Sequence, residues 1–256
     1  TIPNTFFVSG LIKNVFGMVD LPRFSSVTFG KCCHENGFEL LSSSETDRFD
    51  GDVVIVTDPF TVSYETDGLI SLAKLIRALD FKVAFLKPYV NGKVMVIRGA
   101  RKQFVHAASA QAARLDRIAK RGIALVGYDP ALTICYRDEY VQLLGDVRGE
   151  FDVKLPEEWL IEQFSTDRYV EFREKIKKGS EKNTSDTSLD DPYYIFTHCT
   201  QRAFDSGSPL MWQHIFEEFG VKLIPVNVAC CGMAGLFGHM AKNQKNQQQV
   251  TPHAGV

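Results

Sequence analysis

The 256-residue chain shows no excess of charge of either sign, with 29 Lys and Arg against 31 Asp and Glu and no basic cluster. Nucleic acid and anionic membrane surfaces both demand a basic face, so neither is expected as a partner. Long apolar runs are missing too. The longest, such as Val53-Val-Ile-Val56 and residues 123–126, are the size of strands and too short for a transmembrane segment. The first residues lack a basic stretch followed by an apolar one, so no secretory leader is expected and the reading is cytoplasmic. No glycine-rich dinucleotide loop follows a first strand, which argues against a flavin or nicotinamide site within these residues. Cysteine is limited to six residues, at 32, 33, 135, 199, 230 and 231. Adjacent cysteines close a strained ring, and thiols in a reducing compartment serve more often as metal ligands than as bridges.

What is present is the material of an α/β core. Hydrophobic residues make up 45% of the chain, enough to bury a sizeable interior. Val53-Val-Ile-Val-Thr57 reads as a strand, and residues 69–79 place apolar side chains at 69, 72, 75, 76 and 79, one face of a helix. A strand at 81–86, an Ala-rich helix over 101–121 closed by Gly122, a strand at 123–127 and a helix over 131–144 follow. Apolar strands alternating with helices predict a mainly parallel sheet covered on both faces. Asp58 and Asp129, each just before a Pro, are placed to cap the helices that follow.

The pattern then returns. Shifted by 140 residues, Val53 to Thr57 falls on Tyr193 to Thr197, the helix at 69–79 on residues 210–219, the strand at 81–86 on 221–226, and Gly92 on Gly232. Identities are few (Ile55 and Ile195, Thr57 and Thr197, Lys82 and Lys222, Gly92 and Gly232), but no gap is needed for 40 positions. The expected organisation is two duplicated α/β units: a lead-in segment over 1–50, a first unit over 51–163, a polar linker over 164–191 and a second, shorter unit over 192–256.

The cysteines of the second unit sit where such a unit binds ligands. Cys199 follows its first strand, and Cys230, Cys231 and Gly232 follow its second. Parallel strands end on one edge, the edge at which open α/β sheets hold ligands. Gly232 keeps a side chain away from whatever binds there. Convergent thiolates suit an iron–sulfur cluster first and zinc second. A lone strand-end cysteine is more often a small buried hydrophobe, and the Cys-Cys-Gly string is what shifts the reading toward a ligand. Cys32 and Cys33 lie in a polar stretch and read as an incidental surface pair; Cys135 reads as a core residue of a helix. In the first unit Pro59 stands for Cys199, and Val90 and Asn91 for the Cys pair, so that copy is scaffold.

Thr197-His-Cys-Thr200 with Ala229-Cys-Cys-Gly-Met-Ala-Gly-Leu-Phe-Gly-His239 resembles the cysteine-rich module, named for its Cys-Cys-Gly string, of heterodisulfide reductase and related redox proteins. Gly17-Met-Val-Asp-Leu-Pro22, Val126-Gly-Tyr-Asp-Pro-Ala-Leu132, Cys135-Tyr-Arg-Asp-Glu-Tyr140, Arg148-Gly-Glu-Phe151 and Glu158-Trp159 narrow the resemblance to the FAD-linked D-2-hydroxyglutarate and 2-hydroxyacid dehydrogenases, over residues 15–243. The resemblance implies a C-terminal electron-transfer region whose 4Fe–4S cluster is held by Cys199, Cys230 and Cys231. The partners implied are an FAD-binding domain of the same protein and a downstream electron acceptor. A further cysteine of the module has no counterpart here, and residues 244–256 depart from the family. His198 and His239 flank the thiols as possible hydrogen-bond donors to sulfur. The alternative is a non-catalytic scaffold whose cysteines hold zinc or nothing.

Overall fold

The computed structural model describes residues 17–19, 24–180, 191–204, 207–227, 231–233 and 237–250. In chain order the first part contains α1 (Phe29–Glu35), β1 (Leu40–Leu41), β2 (Val53–Val56), α2 (Thr61–Tyr64), α3 (Thr66–Ala78) and β3 (Val83–Leu86). It continues with α4 (Lys93–Ile97), α5 (Arg101–Ala119), β4 (Ala124–Gly127), α6 (Pro130–Arg137), α7 (Glu139–Leu144), β5 (Val153–Lys154), α8 (Pro156–Gln163) and α9 (Asp167–Ser180). The five strands form one all-parallel sheet in the order β1-β3-β2-β4-β5. The fold is α/β, as expected.

Strand β2 shows why the sheet takes the centre. Its four residues are all β-branched and all buried, which suits a strand covered on both faces. Successive side chains point to opposite faces. Val54 and Val56 enter one core with Phe104, Ala108, Ala112 and Leu115 of α5, while Val53 and Ile55 enter the other with Leu69, Ala73 and Ile76 of α3. Each fully buried aliphatic side chain of this kind contributes about 1.5–3 kcal/mol.

The turns that lead out of β2 and β4 are fixed by carboxylates. Asp129 accepts the Leu132 N–H at 2.8 Å, capping α6 behind Pro130. Asp58 accepts the N–H of Phe60 at 2.7 Å and of Thr61 at 3.1 Å, together with the Thr61 hydroxyl at 2.6 Å. Burial raises the Asp58 carboxyl above its ordinary range, against the pull of these bonds.

Three expectations need correction. Residues before 50 are not merely a lead-in: Phe29, Cys33, Phe38 and Leu41 are core residues and β1 is an edge of the sheet. The helix expected over 131–144 is broken at Asp138 into α6 and α7. Part of the expected linker is the helix α9, whose Tyr169 is buried against the α3 face. The sequence between 164 and 180 is too polar to announce a helix that needs only a few anchoring aromatics; residues 181–190 lie outside the described part.

The second part contains β6 (Tyr193–Phe196), α10 (Cys199–Phe204), α11 (Ser208–Glu218), β7 (Leu223–Val226) and α12 (Gln244–Val250). Strands β6 and β7 form a parallel pair. The shift of 140 holds to the residue. Tyr193 pairs with Leu223, Tyr194 with Ile224 and Ile195 with Pro225, as Val53 pairs with Val83, Val54 with Ala84 and Ile55 with Phe85. Val221 N–H reaches Phe216 O at 2.9 Å, as Phe81 N–H reaches Ile76 O at 3.3 Å. Left-handed backbone occurs at Asp80 and Gly220, and again at Gly92 and Gly232. Unlike β2, strand β6 is exposed at Tyr193, Tyr194 and Phe196. Among the described residues no helix is long and apolar enough to cross a membrane.

Candidate functional site

Because β6 and β7 run parallel with Phe196 opposite Val226, the chain leaves both strands on the same edge. From β6 it passes Thr197 and His198 into α10, whose first residue is Cys199. From β7 it passes into the segment that contains Cys231 and Gly232. Cys199 and Cys231 are both exposed. Cys230 lies outside the described residues, and among those described no group of three His, Cys, Asp or Glu side chains is gathered as a metal site. Of the three thiols expected as ligands, Cys199 follows β6 at the start of α10 and Cys231 lies five residues past the end of β7, both exposed.

The Cys231 segment is backed by α12. The Gln247 Nε2 donates to the Cys231 carbonyl at 3.1 Å, and a Cβ on Gly232 would come within 3.1 Å of the Gln247 carbonyl. Gly232 itself has φ +70°. Both facts call for glycine there: a side chain would strain the backbone and push the covering helix away. Each flanking histidine has its Nδ1 engaged. The His198 Nδ1 accepts the Thr200 N–H at 3.2 Å, and the His239 Nδ1 lies 3.2 Å from the Val19 carbonyl. Around His239 the backbone of residues 17–19 pairs antiparallel with residues 239–241, through Val19 N–H to His239 O and Ala241 N–H to Gly17 O, both 2.7 Å.

The remaining cysteines are elsewhere. Cys135 is fully buried in α6, as expected. Cys33 is buried in α1 against the α3 face, so the expected surface pair is in part core; Cys32 is half-buried beside it. Burial pushes the Cys33 thiol up to about 12. The apolar face of α1 escaped notice because Phe29 and Cys33 are its only buried residues.

The equivalent edge of the first unit is closed by its own side chains. Asn91 occupies the place of Cys231, and its Nδ2 donates to the Leu132 carbonyl at 3.1 Å while its Oδ1 accepts the Lys93 N–H at 3.0 Å. The Tyr140 hydroxyl donates to the Asn91 carbonyl at 2.8 Å, as Gln247 does to the Cys231 carbonyl. One group near Cys199 had no signal in the sequence. Glu157 of α8, Gln201 of α10 and Ser208 of α11 meet in a buried cluster. A groove of about 430 Å3, lined by Gln213, Glu217, Lys222 and Pro225, lies along α11 and β7 and includes none of the cysteines.

No family model and no solved structure matches the chain. Curated relatives do. A protein of Pantoea ananatis named D-2-hydroxyglutarate dehydrogenase is 40% identical over 240 residues, covering 91% of this chain and 22% of its own length. Proteins of the same name from Haemophilus influenzae and Escherichia coli are each 37% identical, covering 94% and 95% of this chain and 23% of their own length. The chain thus spans less than a quarter of these relatives. Over nearly all of its length it is homologous to one segment of the proteins that bear the name D-2-hydroxyglutarate dehydrogenase.

Proposed function

We propose that this chain is the iron–sulfur electron-transfer region of an FAD-dependent D-2-hydroxyacid dehydrogenase, with D-2-hydroxyglutarate the substrate that the relatives' name points to. The observation that carries the reading is that Cys199 and Cys231, which follow the two paired parallel strands in the chain, are exposed while Cys33 and Cys135 are buried. Thiolates at a ligand edge are the donor set that iron–sulfur clusters take, with Cys230 the third ligand by its place beside Cys231. A bound cluster supplies one-electron transfer. The chain's own part is to hold the thiols still: Gln247 pins the Cys231 carbonyl, and Gly232 lets α12 close over the loop. Hydride removal from an alcohol carbon needs a flavin or nicotinamide, so the FAD-binding portion of the longer protein is the partner, followed by an electron acceptor.

Anaerobic reconstitution with iron and sulfide tests the assignment. Cys199→Ser, Cys230→Ser and Cys231→Ser are each expected to lose most of the bound iron, while Cys32→Ser and Cys135→Ser retain it. Equal iron in all five variants would remove the assignment. A colourless protein that takes up zinc and no iron supports the scaffold reading instead. The 256-residue chain by itself is expected to reduce no dye with D-2-hydroxyglutarate, and turnover without flavin would overturn the division of labour.

A further inference from the structure

Helix α10 has six residues, too few to be stable in isolation, so its position depends on what its side chains touch. Only one of the six is buried, Gln201, at 5% exposure. Its Nε2 donates to the Glu157 carboxylate and lies against the Ser208 hydroxyl. Ser208 is fully buried and donates to the same Glu157 oxygen at 2.5 Å. Glu157 itself is 1% exposed and belongs to α8, more than 40 residues before either donor. A carboxylate so deeply buried keeps its place only where donors meet it. Here the donors come from α10 and from the start of α11, so a single carboxylate ties together both helices that follow β6. Cys199 stands two residues before Gln201 on the same short helix.

We propose that Glu157 is a positioning residue for Cys199, holding the thiol at the sheet edge through Gln201 and Ser208. The inference rests on the reading of Cys199 as a ligand, and it adds that the first α/β unit, which has no cysteine at the positions matching Cys199, Cys230 and Cys231, supplies the anchor for the second. Glu157 touches no ligand of its own.

The test uses the intact protein and two readouts, backbone hydrogen exchange without metal and cobalt(II) binding followed by its thiolate charge-transfer band. Glu157→Ala is expected to speed exchange in residues 199–204 more than tenfold, to leave residues 53–86 unchanged, and to weaken cobalt binding at least tenfold. Glu157→Gln keeps the accepting oxygen and is expected to return both readouts to within threefold of the parent. Ser208→Ala, a smaller change, gives the same local rise in exchange should Glu157→Ala fail to fold. Parent-like exchange at 199–204 overturns the inference, and so does a rise shared equally with residues 53–86, which marks general destabilisation. A local rise in a protein that binds no cobalt even as the parent upholds the anchor and removes the ligand reading.

Discussion

Cys33 and Cys135 sit inside the two hydrophobic cores, and loss of water raises both thiols from their ordinary value, that of Cys33 to about 12. The thiolate is the reactive form and access is required. At pH 8, iodoacetamide is therefore expected to modify Cys199 and Cys231 at least tenfold faster than Cys33 and Cys135, read by peptide mass spectrometry. Cys33 also carries a pH dependence. Its folded value lies above the unfolded one of about 9, so its contribution to stability is complete below pH 9 and is lost as the pH climbs toward 12. Denaturation midpoints of the parent should fall more steeply over that interval than those of Cys33→Val, in which the other groups still titrate. At another single position the backbone is the issue. Asp80 adopts φ +66°, where its counterpart in the second unit is Gly220. Relief of left-handed strain outweighs the extra unfolded-state freedom of glycine, so Asp80→Gly should raise stability by about 0.5 kcal/mol in urea denaturation.

Among the elements, α5 and α12 reveal how far the duplication persists. The 140-residue shift sets Phe104 of α5 on Gln244, where α12 begins. The first helix buries Phe104, Ala108, Ala112 and Leu115 at helical spacing; the second reads Gln-Lys-Asn-Gln-Gln-Gln-Val. Both nonetheless cover a left-handed glycine. Phe104 packs where a Cβ on Gly92 would sit, 2.6 Å from its ring, and Gln247 does the same over Gly232. Gly92→Ala, with φ +90° and no room, should cost roughly 2–4 kcal/mol by thermal or urea unfolding. The strands and α3 were legible in the sequence because β-branched runs and a 3.6-residue period are local signals, and the shared glycine at 92 and 232 was legible as an identity. The covering helix α12 was not, because its residues carry no apolar stripe. Nor was the Glu157 cluster, because contacts to Gln201 and Ser208 across long stretches of chain leave no spacing to read. Cys199 and Cys231 drew attention through the Cys-Cys-Gly string and their places after two strands, whereas the closure of the first edge by Asn91 and Tyr140 left no signal.

At the scale of the molecule the two sheets are unequal. The five-stranded sheet is buried on both faces, whereas β6 among the described residues pairs with β7 alone and leaves Tyr193, Tyr194 and Phe196 more than half exposed. An apolar strand with open edges promotes association. The 256-residue chain is therefore expected to bind an apolar dye and to elute above monomer size as its concentration rises, and Tyr194→Lys to reduce both, as measured by dye fluorescence and size-exclusion chromatography. The antiparallel pairing of residues 17–19 with 239–241 acts at this scale as well. It makes the stretch between them a loop closed at the neck, and lengthening such a loop costs only about 0.6 kcal/mol per doubling. A pull applied between residues 19 and 239 would load these neck hydrogen bonds before it reached either sheet, so the neck should open first and leave the cores intact.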